Sequence, residues 1–327
     1  MKNVTRITAL TAGMLMVSAP VMATDLRMLT SYDLNTTYNT EVIERFIDNV
    51  NAREDSSVNI RLDGPGVVPA FEQVEPTQAG VYDMLYTHGA YHTGITGVGV
   101  AFQAASVDPD GVREHGLWDY VDEHYQEHGL KLISIPPLGT SGMQFILKDP
   151  LPAESPSLRG LRLRSSSSYV YMIEELGGSP QLMPAGDVYS GIDRGVVDGA
   201  AWGINGAADM GWHEVAGYFT KPTFGQTYSM LFMNIEAYNS LSEAEQEMLL
   251  EEGYQLEIAS GRALDDLAEE EWAYLESHGM QESHFPSEDA DRLNSLFAES
   301  VWRIGADTSP DEVQRMRELA EEHGLSE

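Results

Sequence analysis

The sequence predicts an α/β fold of two intertwined lobes around a central cleft, built on mixed, mostly parallel sheets. Three observations carry this expectation. Residues 25–86 repeat a strand–helix–strand pattern, the signature of a mostly parallel sheet. Residues 160–202 read as strand, helix, strand, helix, strand in one short run. With 327 residues the chain can bury more than one core, and its strand order makes it cross between lobes more than once.

In chain order, residues 1–23 come first. Lys2 and Arg6 give a positive start, 7–17 are mostly apolar or small, and Val21-Met22-Ala23 suits signal peptidase. A secretory signal peptide is expected, with an exported mature chain starting at Thr24. Residues 25–30 read as a strand and 38–50 as a helix through Val42, Ile43, Phe46, Ile47 and Val50. A strand follows at 57–62, a helix at 70–80 and a third strand at 81–86. Residues 118–128 form an amphipathic helix closed by Gly129, and 130–135 and 143–147 are strands. Pro150, Pro152 and Pro156 make a stiff connector, expected as the first crossing between lobes.

In the central stretch Leu161 and Leu163 alternate with Arg162 and Arg164, the period of a half-buried strand. A helix at 169–176 is stopped by Gly177-Gly178. Then come a short run ending at Pro184, a helix at 186–193 and a turn at 196–199. Residues 228–234 read as a buried strand. Ser242 caps a long helical region, with Glu245 three residues on, that reaches about His278. Gly253 and Gly261 leave two alternatives: the helix spans both lobes, or it breaks at a glycine. Helices at 287–304 and 310–322 complete the chain. The expected lobes are 24–145 with 231–268, and 146–230 with 269–327.

Composition limits the functions available. The formal charge is −33, and −35 without residues 1–23. Such a chain repels nucleic acid and anionic membrane surfaces, and neither is expected as a partner. The charge is read as a solvated surface adapted to high external salt. No segment after residue 23 approaches ~18 uninterrupted apolar residues, so no stable membrane insertion is expected. There is no cysteine, which excludes disulfides, a lipid-anchored cysteine and thiol catalysis.

Candidate chemistry is sparse. His88/His92 and His124/His128 have the i, i+4 spacing of zinc ligands, but the first pair sits in poor helix context and the second lacks a third ligand. Ser165–Ser168 lacks a nucleophile elbow, and the GVGV at 97–100 lacks the third glycine of a dinucleotide fingerprint. No cofactor and no enzyme activity are expected; a secreted hydrolase is the reading from another class. Arg164 differs in its setting. It ends a strand and precedes a loop of small residues, so its fork of donors is placed to grip a carboxylate. Its structural alternative is pairing with Asp187 or Asp198. Aromatic residues near strand ends, among them Tyr32, Tyr91, Tyr169 and Trp202, suit either a core or the walls of a pocket.

The central stretch resembles the substrate-binding proteins of tripartite ATP-independent periplasmic (TRAP) transporters, the DctP-like family. The matching residues are Leu158-Arg159-Gly160-Leu161-Arg162-Leu163-Arg164, Leu176-Gly177-Gly178-Ser179-Pro180, Asp187-Val188-Tyr189 and Gly195-Val196-Val197-Asp198-Gly199. Gly66-Val67-Val68-Pro69-Ala70-Phe71-Glu72 and Ala90-Tyr91 resemble the branch that binds 2-oxo acids and small hydroxy acids. The resemblance implies a two-lobed receptor with a long helix joining the lobes, which in the periplasm takes up one small organic acid and delivers it to small and large membrane permease subunits; a monomer is expected. It implies that Arg164 grips the carboxylate, that Gln144 and Trp202 contact ligand, and that Gln226 occupies a position that contacts metal in the branch. Ser166 is expected to supply a neutral hydrogen bond, with Tyr32, Phe71, Tyr91 and Tyr169 around the ligand. The branch's metal-binding glutamate is replaced by Ala201, so no metal is expected. The rival ligand is small and neutral or cationic, such as a polyol or amino alcohol, held by aromatic faces.

Overall fold

The computed structural model describes residues 24–105 and 108–326; the expected signal peptide lies outside them. Eleven strands form two sheets among these residues: β1 (Thr24–Thr30), β2 (Val58–Asp63), β3 (Met84–Thr87), β4 (Leu130–Ser134), β5 (Met143–Leu147), β6 (Arg162–Ser165), β7 (Ser179–Leu182), β8 (Gly199–Gly203), β9 (Tyr218–Lys221), β10 (Met230–Asn234) and β11 (Gln281–His284). The first sheet has the order β2-β1-β3-β10-β4 and the second β11-β9-β5-β8-β6-β7. Both are mixed and mostly parallel, as expected: four of the five strands of the first and five of the six of the second point the same way. In each, one strand returns from a lobe crossing and runs against both neighbours: β10 against β3 and β4, β5 against β8 and β9.

Burial explains the strand sequences. β3, β5, β8 and β10 are buried along their whole lengths, which requires the near-continuous apolar runs of strands covered on both faces. β11, Gln281-Glu282-Ser283-His284, has no apolar residue and escaped sequence reading. Parallel pairing with β9 at the sheet edge defines it. The helix expected at 70–80 is a short turn at Ala70–Glu72 and a helix at Val74–Gln78. The Pro76 carbonyl accepts from the Val81 and Tyr82 amides, which turns the chain and moves β3 three residues later than expected.

The crossings also differ from expectation. All five residues of β5 pair with β8, so the lobe boundary expected at 145 falls inside a strand of the second sheet. The chain crosses between β4 and β5, through 135–142. The proline connector instead lies along the second sheet, where the Leu151 amide donates to Ser283 Oγ at 2.8 Å.

The long helix is unbroken from Glu243 to Ser277, about 52 Å of helix. Ser242 and Glu245 form the reciprocal cap that the sequence suggests. Glu257, near the middle of the helix, ties it to the first sheet, accepting from Arg113, Trp118 and the Ile135 amide. Toward its C-terminal end Leu264 O accepts from Asn205, Glu271 accepts from the Ala208 amide, and Trp272 donates to Gln144. Of the two alternatives, the helix spans both sheets. Gly97 and Gly305 also meet backbone to backbone: a Cβ at Gly97 would lie 1.9 Å from Gly305 O.

Candidate binding site

A cavity of about 30 Å³ lies between the sheets, lined by Tyr32, Tyr38, His88, Tyr91, Leu138, Arg164, Ser166, Tyr169, Trp202, Gly203 and Thr227. Tyr32, His88, Tyr91, Ser166 and Tyr169 all stand just beyond the carboxyl ends of parallel strands, where α/β sheets place ligands. A larger vestibule of about 320 Å³ shares Tyr32 and Trp202 with the cavity.

Arg164 is fully buried. Its Nε donates to Met183 O at 2.8 Å and its Nη1 to Ala201 O at 3.0 Å, which fixes the guanidinium plane. Nη2 has no partner. The head group lies 5.0 Å from the centre of the Trp202 ring. No carboxylate pairs with it: Asp198 takes Arg162 instead, with Nη2 2.8 Å from Oδ1 and a second bond from the Arg162 amide. The two arginines share a face of β6 and differ in position along it, Arg162 at its exposed start and Arg164 at its buried, cavity end. A buried guanidinium with an unspent edge and no counter-charge is a costly group unless an anion meets it.

The walls are aromatic and neutral. Tyr32 bonds Ser229 Oγ at 2.7 Å, and its ring packs against Tyr38 and Tyr86. Burial raises the Tyr32 and Tyr38 hydroxyls well above their usual range, so both stay protonated. Trp202 is fixed by its bond to Asn205 O and by edge contact with Trp212. Burial, with smaller contributions from His92 and Arg164, lowers His88 to about 3. It is therefore a neutral imidazole.

Six expected residues come together here: Arg164, Trp202, Tyr91, Tyr32, Tyr169 and Ser166. Three do not line the cavity. Gln144 shares a sheet face with Trp202, its register partner, but its Oε1 accepts from Trp272 at 3.0 Å. Phe71 stands behind Tyr91, with ring centres 4.9 Å apart, and is partly exposed. Gln226 is in the crossing loop before Thr227. Tyr38, His88, Thr227, Leu138 and Gly203 were not singled out as ligand contacts. Tyr38 reads only as the first residue of a helical pattern, and Thr227 lies in a loop with no pattern at all.

The histidine pairs are explained locally. His88 bonds Thr227, His92 bonds Tyr125 at 2.6 Å and His124 bonds Thr96 at 2.6 Å. Among the described residues no group of three or more His, Cys, Asp or Glu could hold a metal. The serine run ties elements together: Ser167 donates to Ala90 O and Ser168 exchanges bonds with Gln103. The cation of the 2-oxo acid branch does not fit these residues. Ala201 offers no carboxylate, its carbonyl already accepts from Arg164, and the Gln144 carbonyl is taken by Trp272.

Two sheets bridged by a long helix, closing on a buried arginine in an aromatic cavity, define a two-lobed solute-binding fold. Residues 31–306 match the family described as bacterial extracellular solute-binding protein, family 7. The chain belongs to that family, the DctP-like receptors of TRAP transporters. It is 28% identical over 197 residues to the monocarboxylate 2-oxoacid-binding periplasmic protein of Nostoc sp., covering 56% of this chain and 52% of that one. The chain spans about half the length of the curated relatives it matches. The fold is shared with an extracytoplasmic solute receptor from Bordetella pertussis that binds pyroglutamic acid (TM-score 0.78, 18% identity, 91% of this chain and 100% of that one). It is shared too with a TRAP periplasmic solute-binding protein from Desulfovibrio salexigens with bound orotic acid (TM-score 0.80, 16% identity, 91% and 98%).

Proposed function

We propose that this protein is a periplasmic receptor that captures a small organic monocarboxylate and delivers it to the membrane permease subunits of a TRAP transporter. The observation that carries the reading is the unpartnered Nη2 edge of the fully buried Arg164, a residue of the cavity lining. The ligands named for the relatives, a 2-oxoacid, pyroglutamic acid and orotic acid, are all acids. No other lining side chain is cationic, since His88 is neutral, so a second carboxylate would be buried without a counter-charge. The aromatic walls equally suit a small cation, but it would sit beside Arg164 with no lining carboxylate to balance it. The same imbalance argues against a metal.

In this reading β1–β4 and β10 form the core of one lobe and β5–β9 and β11 that of the other, with exported residues 24–327 as the mature monomer. The hydroxyl–imidazole pair of the cavity, Thr227 and His88 at 2.7 Å, has no carboxylate behind the imidazole, whose Nδ1 accepts from the Ala90 amide; this supports a binding role. The test is calorimetric titration of ligand-free protein with small carboxylates, amines and polyols. Carboxylates should bind, and Arg164→Ala should weaken them at least about a hundredfold, as expected for removing a buried charge-assisted contact. Binding of an amine or polyol that survives Arg164→Ala would sink the carboxylate reading.

A further inference from the structure

Thr227 faces Arg164's cavity from the crossing loop, and its hydroxyl hydrogen is already committed. The Ala90 amide donates to His88 Nδ1 at 3.1 Å, so in the neutral ring the proton is on Nε2. Nε2 lies 2.7 Å from Thr227 Oγ1 and therefore donates to it. At the far end, Gln103 Nε2 donates to Val100 O at 3.0 Å and to Ser168 Oγ at 2.9 Å, which fixes the amide with its oxygen toward Thr227. Gln103 Oε1 can only accept, and Thr227 Oγ1 donates to it at 3.3 Å. One lone pair of Thr227 remains. At this point the cavity wall is an acceptor.

We infer that the site selects carboxylates that also carry a hydrogen-bond donor, and binds a hydroxy acid in preference to the oxo acid of the same skeleton. This rests on the carboxylate reading above and deepens it. A ligand hydroxyl satisfies the Thr227 lone pair, whereas a ketone oxygen there sets acceptor against acceptor and leaves both unpaired. Tyr38, Tyr91 and Ser166 also line the cavity, but a hydroxyl free to rotate accepts or donates and does not discriminate. Directionality comes from the clamped series His88–Thr227–Gln103.

The experiment is calorimetric titration of refolded, ligand-free protein with matched pairs: lactate and pyruvate, 2-hydroxybutyrate and 2-oxobutyrate, 3-hydroxybutyrate and acetoacetate. In the wild type the hydroxy member should bind about tenfold tighter or more, the usual cost of one buried unpaired acceptor. Thr227→Val should bring the ratio near one by weakening the hydroxy acid, and Thr227→Ser should keep the preference. Gln103→Met, outside the cavity wall, releases the Thr227 hydrogen and should raise oxo-acid affinity, which keeps the test sound if the valine variant folds poorly. Carboxylates that bind through Arg164 with no hydroxy preference, or with a ratio insensitive to both Thr227→Val and Gln103→Met, overturn the inference alone. Failure of every acid to bind, or binding that survives Arg164→Ala, overturns the carboxylate reading and the inference with it.

Discussion

At the residue scale, the difference between Arg162 and Arg164 shows how much a two-residue step decides. Both alternate with leucines on one strand, yet Arg162 is an exposed partner of Asp198 and Arg164 is buried with an edge to spare. The alternation was legible in the sequence; which arginine faced the cavity followed from the loop after it. The bond that Gln144 makes was not legible, because its partner Trp272 lies 128 residues away on the long helix. Thr227 was illegible for a related reason: its role depends on His88 and Gln103, which are distant in sequence and chemically ordinary on their own.

Glu271 carries a second residue-scale prediction. It is buried on the long helix beside Ala208, and burial raises its carboxyl to about 7, with Asp209 adding to the effect and nearby amides opposing it. A carboxyl raised in the fold contributes stability that is present below its unfolded value of 4.5 and is lost as pH rises through about 7. Glu271→Gln should therefore stabilise the protein at pH 8 by about 2–3 kcal/mol relative to its effect at pH 4. Chemical unfolding at the two pH values checks this. His88 has the opposite sign: its pKa is lowered in the fold to about 3, so its contribution is lost as pH falls from 6.5 toward that value.

At the element scale, the central strand–helix series was readable because each piece is local and bounded by glycine or proline. The long helix was readable in length but not in continuity, since Gly253 and Gly261 look alike in sequence. Their surroundings differ. A Cβ at Gly253 would lie 2.3 Å from the Ile133 carbonyl of β4, whereas one at Gly261 meets Pro137 at an ordinary 3.4 Å. Alanine gains about 1 kcal/mol over glycine inside a helix, and overpacking a backbone atom costs about 1–3 kcal/mol. Gly253→Ala should thus lower the urea midpoint and Gly261→Ala should raise it. Equal midpoints for the two variants would refute the close approach of helix and strand.

At the scale of the whole molecule, the net charge of −33 is spread over a surface with few compensating cations. Screening of that self-repulsion predicts a melting temperature that climbs between about 0.1 and 1 M sodium chloride, as the Debye length falls from about 10 to 3 Å. A flat or falling curve would count against salt adaptation. The two-lobed plan was legible from strand order, but the boundaries were not. Crossings are short loops whose composition does not set them apart, and the proline run that looked like one lies along the second sheet.

The place of β10 has a consequence for how the chain reaches this state. It lies in the interior of the first sheet, between β3 and β4, although almost a hundred residues separate it from β4. The first sheet therefore stays open at its middle until the second has been threaded past it, and its assembly is governed by contacts of high sequence separation, which form slowly. A fragment ending at residue 142 keeps four of the five strands and exposes unpaired edges on both β3 and β4. It should aggregate rather than fold, and adding a peptide of residues 228–240 in trans should recover native-like far-ultraviolet dichroism if the missing strand is all it lacks.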